Sequence, residues 1–536
     1  MKSNSADSPF GPTGTPRVVI VGAGFGGIAT GVKLKKAGIH TFTIFEKSEG
    51  PGGTWWDNRY PGAEVDVGSH LYSYSFKSYD WSRTHARQEE LQGYLEEVVD
   101  DYGLRAHIRF GTIVDEAVWD ERTHLYTVRL HHGEEVQTNV VVSALGLLNY
   151  PRYPDWPGLE RFQGPKFHTF RWEHEHDLAD KRVAIVGTGS TATQIVPEIA
   201  PAVGHLKVFQ REPGWIIPKG DRDFTPEERR TFQSRLKRRM ERIRLALLLE
   251  RNQIGGAIHR PGTKMNALRE HQCRSFIERE FAERPDLREA LTPKYPYPGK
   301  RPILNSTFYG SLRRDNVELV PRAVASVTEH GIVDQVGEEH AVDVLVMATG
   351  FQPANYLASL EVVGRHGRTI HEVWDGEPRA VLGMTVPGFP NFYMLYGPNT
   401  NGGEIISCLE RQAEHVVQAV RRMKRRRVTA VEVRPTVYEL YNRWLERQME
   451  GTAWTVSNNY YKSASGRIVT QWPFGALLYG VLTKVLAPMS ESTRVAARVH
   501  APPPARARDG ARAPDGARAR AGVQAPTSAP APSEAV

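Results

Sequence analysis

Three features of this 536-residue chain predict an α/β fold built from two Rossmann-like units with a helical insertion. A short apolar strand, RVVIV at 17–21, runs into the glycine-rich turn GAGFGG and then into an Ala/Leu/Lys helix. The same order recurs about 165 residues later, where KRVAIV at 181–186 runs into GTGSTA. Residues 223–290 read as helix alone. Thr225 caps, Pro226 takes the first helical position and Glu228 closes a capping box. Phe232, Leu236, Met240, Ile243 and Leu247 then follow at three- and four-residue spacing as one apolar stripe, expected over or beside a site.

Composition bounds the class. Hydrophobic residues make up 40% of the chain, enough for real cores and against bulk disorder. The balance of 69 basic and 61 acidic residues, net +8, is too diluted over this length to point to nucleic acid. Only two cysteines occur, Cys273 and Cys408, which excludes a disulfide scaffold, a cysteine-based zinc site and a CxxC redox centre. A reducing, cytoplasmic location is expected. No signal peptide and no apolar run near the ~20 residues of a membrane span are read, so no integral membrane association is expected. His174 and His176 form an HxH pair without a third ligand, so no metal is assigned.

The first glycine turn has its context in order. Gly22 permits the tight turn out of the strand, Gly24 lets backbone approach a pyrophosphate, and Gly27 lets the helix pack on the strand. The helix N-terminus offers free N–H groups and a positive dipole end to phosphate. Gly38 signals the helix end, and the next strand, TFTIFE, ends on Glu46. A carboxylate there accepts from both ribose hydroxyls and repels a 2′-phosphate, so this site is assigned FAD or NAD.

The second turn carries the opposite charge. Gly187 and Gly189 are followed by Ala192 at the third small position, and Arg211 ends the next strand, 24 residues after Gly187 as Glu46 is after Gly22. A guanidinium at that place pairs with a 2′-phosphate, so this site is assigned NADPH. Thr188, Ser190 and Thr191 lie where its phosphates should sit. Two such sites imply a flavoenzyme that NADPH reduces. The expected order is a leader over 1–16, an FAD-binding part over 17–150 and an NADP-binding part over 151–222. The helical insertion follows over 223–296, then the second NADP part over 297–350 and the second FAD part over 351–488. A disordered Ala/Pro/Arg tail is expected over 489–536. An amphipathic helix is expected over 404–425, with the RRMKRRR run at its C-terminal end rather than on nucleic acid. The segment 476–487 reads as a terminal helix packed on the FAD domain, with contact to a membrane surface as the alternative.

The stretch GGTWWDNRYPGAEVD (52–66) resembles the type I Baeyer–Villiger monooxygenase pattern at Gly52, Gly53, Trp55, Tyr60, Pro61, Gly62 and Asp66. FQGPKFHTFRW resembles that family's longer fingerprint at Phe162, Gly164, His168 and Trp172. Glu173 stands where family members usually carry Pro or Asp. ATGF (348–351) and GFPNFYMLYGPNTN (388–401) are also similar. The resemblance covers roughly residues 15–480. It implies a split FAD domain with an inserted NADP domain, FAD and NADPH as cofactors, and a small-molecule ketone and O₂ as substrates. The implied reaction inserts one oxygen atom beside the carbonyl, giving an ester or lactone through a C4a-peroxyflavin. An N- or S-oxygenating flavin monooxygenase and an NADPH oxidase-like flavoprotein stay open as alternatives.

The resemblance also implies roles. Arg301 takes the place of the active-site arginine, a rigid fork of donors that never loses its charge. Asp66 takes that of the carboxylate holding it. Lys300 matches a position that contacts NADP, and Gly53, Thr54, Trp55, Asp57 and Tyr72 match flavin-lining positions. His168 is assigned to the linker between domains, not to proton transfer. Tyr460 and Tyr461, in SNNYYK (457–462), replace the Trp of a Cys-x-Trp-Tyr stretch. A monomer or homodimer is expected.

Overall fold

The computed structural model describes Phe10 and residues 13–496. The first sheet has five strands, all parallel, in the order Phe392–Met394, Val140–Ser143, Val18–Val21, Phe42–Phe45, Ile108–Arg109. Strands buried on both faces read as unbroken apolar runs, and Val18–Val21 and Val140–Ser143 are buried at every position. The second sheet, also parallel, has the order Val317–Val320, His205–Phe209, Arg182–Val186, Val344–Met347, Lys166–His168. Each glycine turn leaves the strand at the centre of its sheet, from Val18–Val21 in the first and Arg182–Val186 in the second. Ligands of such sheets bind at the carboxyl ends of the strands, and both turns lie there.

The helix Phe25–Lys36 follows the first turn and packs on the long helix Ile405–Arg426. The latter buries Ile406, Leu409, Ala413, Val417 and Val420, the face its periodicity predicted, and ends on Lys424, Arg425 and Arg426, where cations suit the helix dipole. Four helices, Pro226–Phe232, Arg235–Gln253, Lys264–Glu280 and Pro285–Leu291, occupy the segment read as helical. The capping box forms as expected. The Glu228 N–H donates to Thr225 Oγ1 at 3.2 Å, and the Thr225 N–H donates to Glu228 Oε2 at 2.8 Å.

Two expectations are corrected. The stripe on Arg235–Gln253 does not turn inward: Leu236, Met240, Ile243 and Leu247 are all exposed, Leu236 at 67%. The inward face instead carries Arg242, whose guanidinium donates to the His70 and Ser73 carbonyls at 3.1 and 2.7 Å, and Leu245, which packs at Gly68. The first residues of the tail expected over 489–536 are ordered. Residues 489 and 490 finish the helix Ala476–Ser490, and Glu491–Arg494 is a strand antiparallel to Ala430–Val433. Glu491 is buried between His415, at 2.8 Å, and Arg422, so ion pairing orders a stretch that lacks apolar residues. Residues 497–536 of that tail lie outside the described residues. Of the leader over 1–16, Phe10 and 13–16 are described, and Phe10 is buried in the core around the first sheet.

Three buried histidines make stability depend on pH. Burial pushes His70 and His168 down to about 4 and His259 down to about 3. One ring nitrogen of His70 and one of His259 lack a hydrogen-bond partner among the described residues. The folded state holds them neutral, whereas the unfolded chain binds a proton as pH falls through about 6.5. Their stabilisation is therefore whole above about 6.5 and is lost as pH falls toward 4, at about 2 kcal/mol per histidine by about pH 5. A denaturant midpoint that is the same at pH 7 and pH 5 would contradict this.

Candidate active site

The two glycine turns face one cavity of about 1770 Å³. Every expected catalytic and cofactor residue lines it except Gly27. Gly27 packs elsewhere: a Cβ on it would overlap the Gly22 carbonyl oxygen, so it sets the helix-to-strand distance. Gly22 turns at φ +106°, and a Cβ there would stand 2.7 Å from the Ala144 carbonyl oxygen. A side chain on Gly24 would enter the slot against Gly53, with a Cβ 3.5 Å from its Cα. That slot leaves bare backbone facing the cavity, as a pyrophosphate requires.

Gly24 and Gly189 are the N-caps of Phe25–Lys36 and Ser190–Ile199. Neither carries a capping side chain and neither helix has an acid in its first turn, so no cap or first-turn carboxylate competes for an anion there. Glu46 is buried. Its two oxygens accept N–H groups from Ala23 at 2.6 Å and Ser48 at 2.9 Å. Each oxygen keeps a lone pair free for a ribose hydroxyl. Arg211, just past His205–Phe209, is exposed at the other end of the cavity wall. Glu212 beside it pairs with Lys300, whose ammonium also lies over the Tyr295 ring at 5.2 Å. The residues present therefore fit one dinucleotide without and one with a 2′-phosphate.

The segment 52–66 works as a strap across the cavity. It begins at the first turn, where Gly53 meets Gly24. The short helix Thr54–Asp57 places Trp55 so that its Nε1–H donates to Tyr72 Oη at 3.3 Å, and Asp57 pairs with Lys47 at 3.1 Å. The strap then reaches the second unit through three of its side chains. The Tyr60 hydroxyl donates to Gln194 Oε1 at 3.0 Å, Glu64 pairs with Lys219 at 2.6 Å, and Asp66 pairs with Arg301 at 2.8 Å. Burial pushes the Tyr60 and Tyr72 hydroxyls up to about 12, so both stay protonated donors. Lys219 is fully buried and burial raises the Glu64 carboxyl, against the pull of Lys219. Sequence reading did not single out Lys219, Gln194 or Glu64. No local pattern marks them, since their partners lie far away along the chain.

Arg301 is one of the cations that line the cavity. It keeps 41% of its side chain accessible while Asp66 keeps 17%. Loss of surrounding water would lower its pKa, but the Asp66 carboxylate together with Tyr460 and Tyr461 outweighs that and raises it above the ordinary arginine value. Tyr460 also lines the cavity, whereas Tyr461 lies buried beneath it with ring centres 4.7 Å apart. Asn459 Nδ2 donates to the Gly299 and Trp454 carbonyls at 2.9 Å each, tying this loop to the segment that carries Lys300 and Arg301.

His168 does not line the cavity. It ends the edge strand Lys166–His168, and its Nδ1 accepts the Phe170 N–H at 3.0 Å. Its ring lies 5.2 Å from Tyr153 and 6.1 Å from Phe351. Those residues belong to the two strands of chain that cross between the units, which pair through Arg152 N–H to Gly350 O at 2.8 Å and Gln352 N–H to Tyr150 O at 3.0 Å. Glu173 pairs with His176 at 2.9 Å, just beyond this crossing.

A family model described as pyridine nucleotide-disulphide oxidoreductase matches residues 19–254. Both cysteines lie outside that range, free and buried. Burial pushes Cys273 up to about 12 and raises Cys408 too, so no thiolate pair is available for disulfide chemistry. A Baeyer–Villiger monooxygenase of Pseudomonas aeruginosa is 37% identical over 500 residues, 90% of this chain and 94% of that protein. A solved steroid monooxygenase bound to NADP is 31% identical with a TM-score of 0.81, covering 90% of this chain and 99% of its own. A cyclohexanone monooxygenase from Rhodococcus sp. Phi1 bound to NADP⁺ is 33% identical with a TM-score of 0.80 over the same shares. Likeness of this extent, on two parallel sheets that share one cavity, makes the chain a member of the Baeyer–Villiger monooxygenase family.

Proposed function

We propose that the protein is an FAD-containing, NADPH-dependent monooxygenase that inserts one oxygen atom of O₂ beside a ketone carbonyl, giving an ester or lactone. The observation that carries this reading is the Arg301–Asp66 pair in the wall of a cavity shared by two dinucleotide turns. When bound, FAD reduced by NADPH supplies the oxygen-activating chemistry. The chain supplies binding, orientation and charge. The Phe25–Lys36 N-terminus and Glu46 hold one dinucleotide. The Ser190–Ile199 N-terminus, Thr188, Ser190, Thr191, Arg211 and Lys300 hold the other. Arg301 offers fixed donors where negative charge develops on oxygen during addition to the carbonyl, and Asp66 keeps the guanidinium aimed. Tyr60 and Tyr72 wall the cavity as neutral hydroxyls. A cytoplasmic location belongs to the same proposal, supported by two free, buried cysteines.

Incubation with NADPH, O₂ and a panel of ketones tests the reaction: ester or lactone is expected from at least one ketone. NADPH consumption with no such product from any of them would sink the reading. Arg211→Ala tests the cofactor assignment in the same assay. The Michaelis constant for NADPH should rise about 10- to 100-fold, the worth of one or two charge-assisted hydrogen bonds, while that for NADH barely moves.

A further inference from the structure

We infer that the outward faces of helices Arg235–Gln253 and Ala476–Ser490 form a docking surface for an anionic lipid bilayer. The first helix exposes Leu236, Met240, Ile243 and Leu247 at helical spacing, with Leu248 beside them. The second exposes Leu477, Val481, Val485 and Met489 at four-residue spacing, each more than half accessible. Its opposite face, with Tyr479, Thr483 and Ala487, is buried against the body. The helices meet where the Leu477 N–H donates to Glu250 Oε2 at 3.3 Å. Each helix thus leaves an apolar stripe open to water along its outward face, and exposed apolar surface of this kind marks interaction sites.

Charge identifies the occupant. Arg235 and Lys237 flank the first stripe together with Arg239, all three exposed and without a carboxylate partner among the described residues. Lys484 is exposed on the second helix, which contains no acid. An apolar stripe bordered by cations is the pattern of helices that lie in a lipid interface and are drawn to anionic headgroups. A second copy of the chain would instead set the same cations against one another. Among the described residues no helix is long and apolar enough to cross a membrane, so the association is peripheral. Arg242 and Leu245 fasten the first helix to the segment 68–73, two residues past Asp66. The docked face thus lies on the element next to the cavity wall, where apolar ketones dissolved in lipid would be delivered.

The test is flotation of the full-length holoprotein with vesicles. Wild type should float with vesicles of phosphatidylglycerol and phosphatidylcholine in equal parts, release at high salt, and stay behind with phosphatidylcholine alone. Ile243→Asp with Leu247→Asp, and separately Val481→Asp with Val485→Asp, should each weaken binding by about tenfold or more. Arg235→Ser, Lys237→Ser and Arg239→Ser should cost about fivefold apiece. Flavin content and NADPH oxidation in solution should match wild type in every variant, so failure here is distinct from failure of the catalytic reading. Wild type that ignores anionic vesicles overturns the inference, as does binding that survives all these changes. A solution dimer that the Asp variants break, without vesicle binding, overturns it in favour of self-association.

Discussion

Arg301→Ala should leave reduction of the flavin by NADPH within about twofold of wild type while ester formation falls by about 10²- to 10³-fold, the usual cost of losing a preorganised donor to developing oxyanion charge. The two effects separate because Arg301 is joined to neither glycine turn; its bond is to Asp66. Electrons should still arrive, and O₂ should still be consumed, but reducing equivalents should end in hydrogen peroxide. Arg301→Lys should recover only part of the loss. It restores charge but not the planar fork that reaches Asp66 and the cavity together. Stopped-flow reduction beside product yield reads both quantities, and product at wild-type yield from Arg301→Ala would remove this residue from the chemistry.

Gly27→Ala should yield protein largely without flavin, with affinity for FAD reduced by at least about a hundredfold. One methyl group does this because its neighbour is backbone. The Cβ would overlap the Gly22 carbonyl oxygen, and neither atom has a rotamer to escape into. Relief requires the helix Phe25–Lys36 to lift from the sheet. Yet Ile28, Ala29 and Val32 on that helix are fully buried, so lifting opens the core. The N–H groups at the helix start would leave the pyrophosphate position with it. Gly189→Ala is the control. Its backbone is ordinary extended chain, φ −79° and ψ −175°, and a Cβ there meets nothing within 4 Å. That variant should fold and keep its flavin. Flavin absorbance per mole of purified protein distinguishes the two, and a Gly27→Ala protein as yellow as wild type would contradict the packing argument.

Both strand–turn–helix units were legible because the demand on them is local. A turn tight enough to aim a helix at phosphate dictates glycine at set offsets, and the next strand places Glu46 and Arg211 at one shared offset. The Arg301–Asp66 pair is different in kind. Its members lie 235 residues apart and became visible only through resemblance to a family pattern. Lys219 and Gln194 had no such help. Each is an ordinary residue type in an unremarked stretch until the strap is laid across it. The stripe on Arg235–Gln253 shows another boundary of sequence reading. Periodicity reveals that a helix has an apolar face, but not whether protein covers that face. The strand Glu491–Arg494 was missed because ESTR has no alternating apolar pattern. It is held beside Ala430–Val433 by the buried Glu491, which bonds His415 and pairs with Arg422.

The strap over 52–66 touches the FAD-side turn at one end and hands Asp66 to Arg301 at the other. In between it is latched to the second unit through Tyr60 and Glu64. On the proposed reading, the orientation of Arg301 is thereby tied to the seating of the second unit. Shear between the two halves would break these three side-chain contacts together, and Arg301 would lose the carboxylate that aims it.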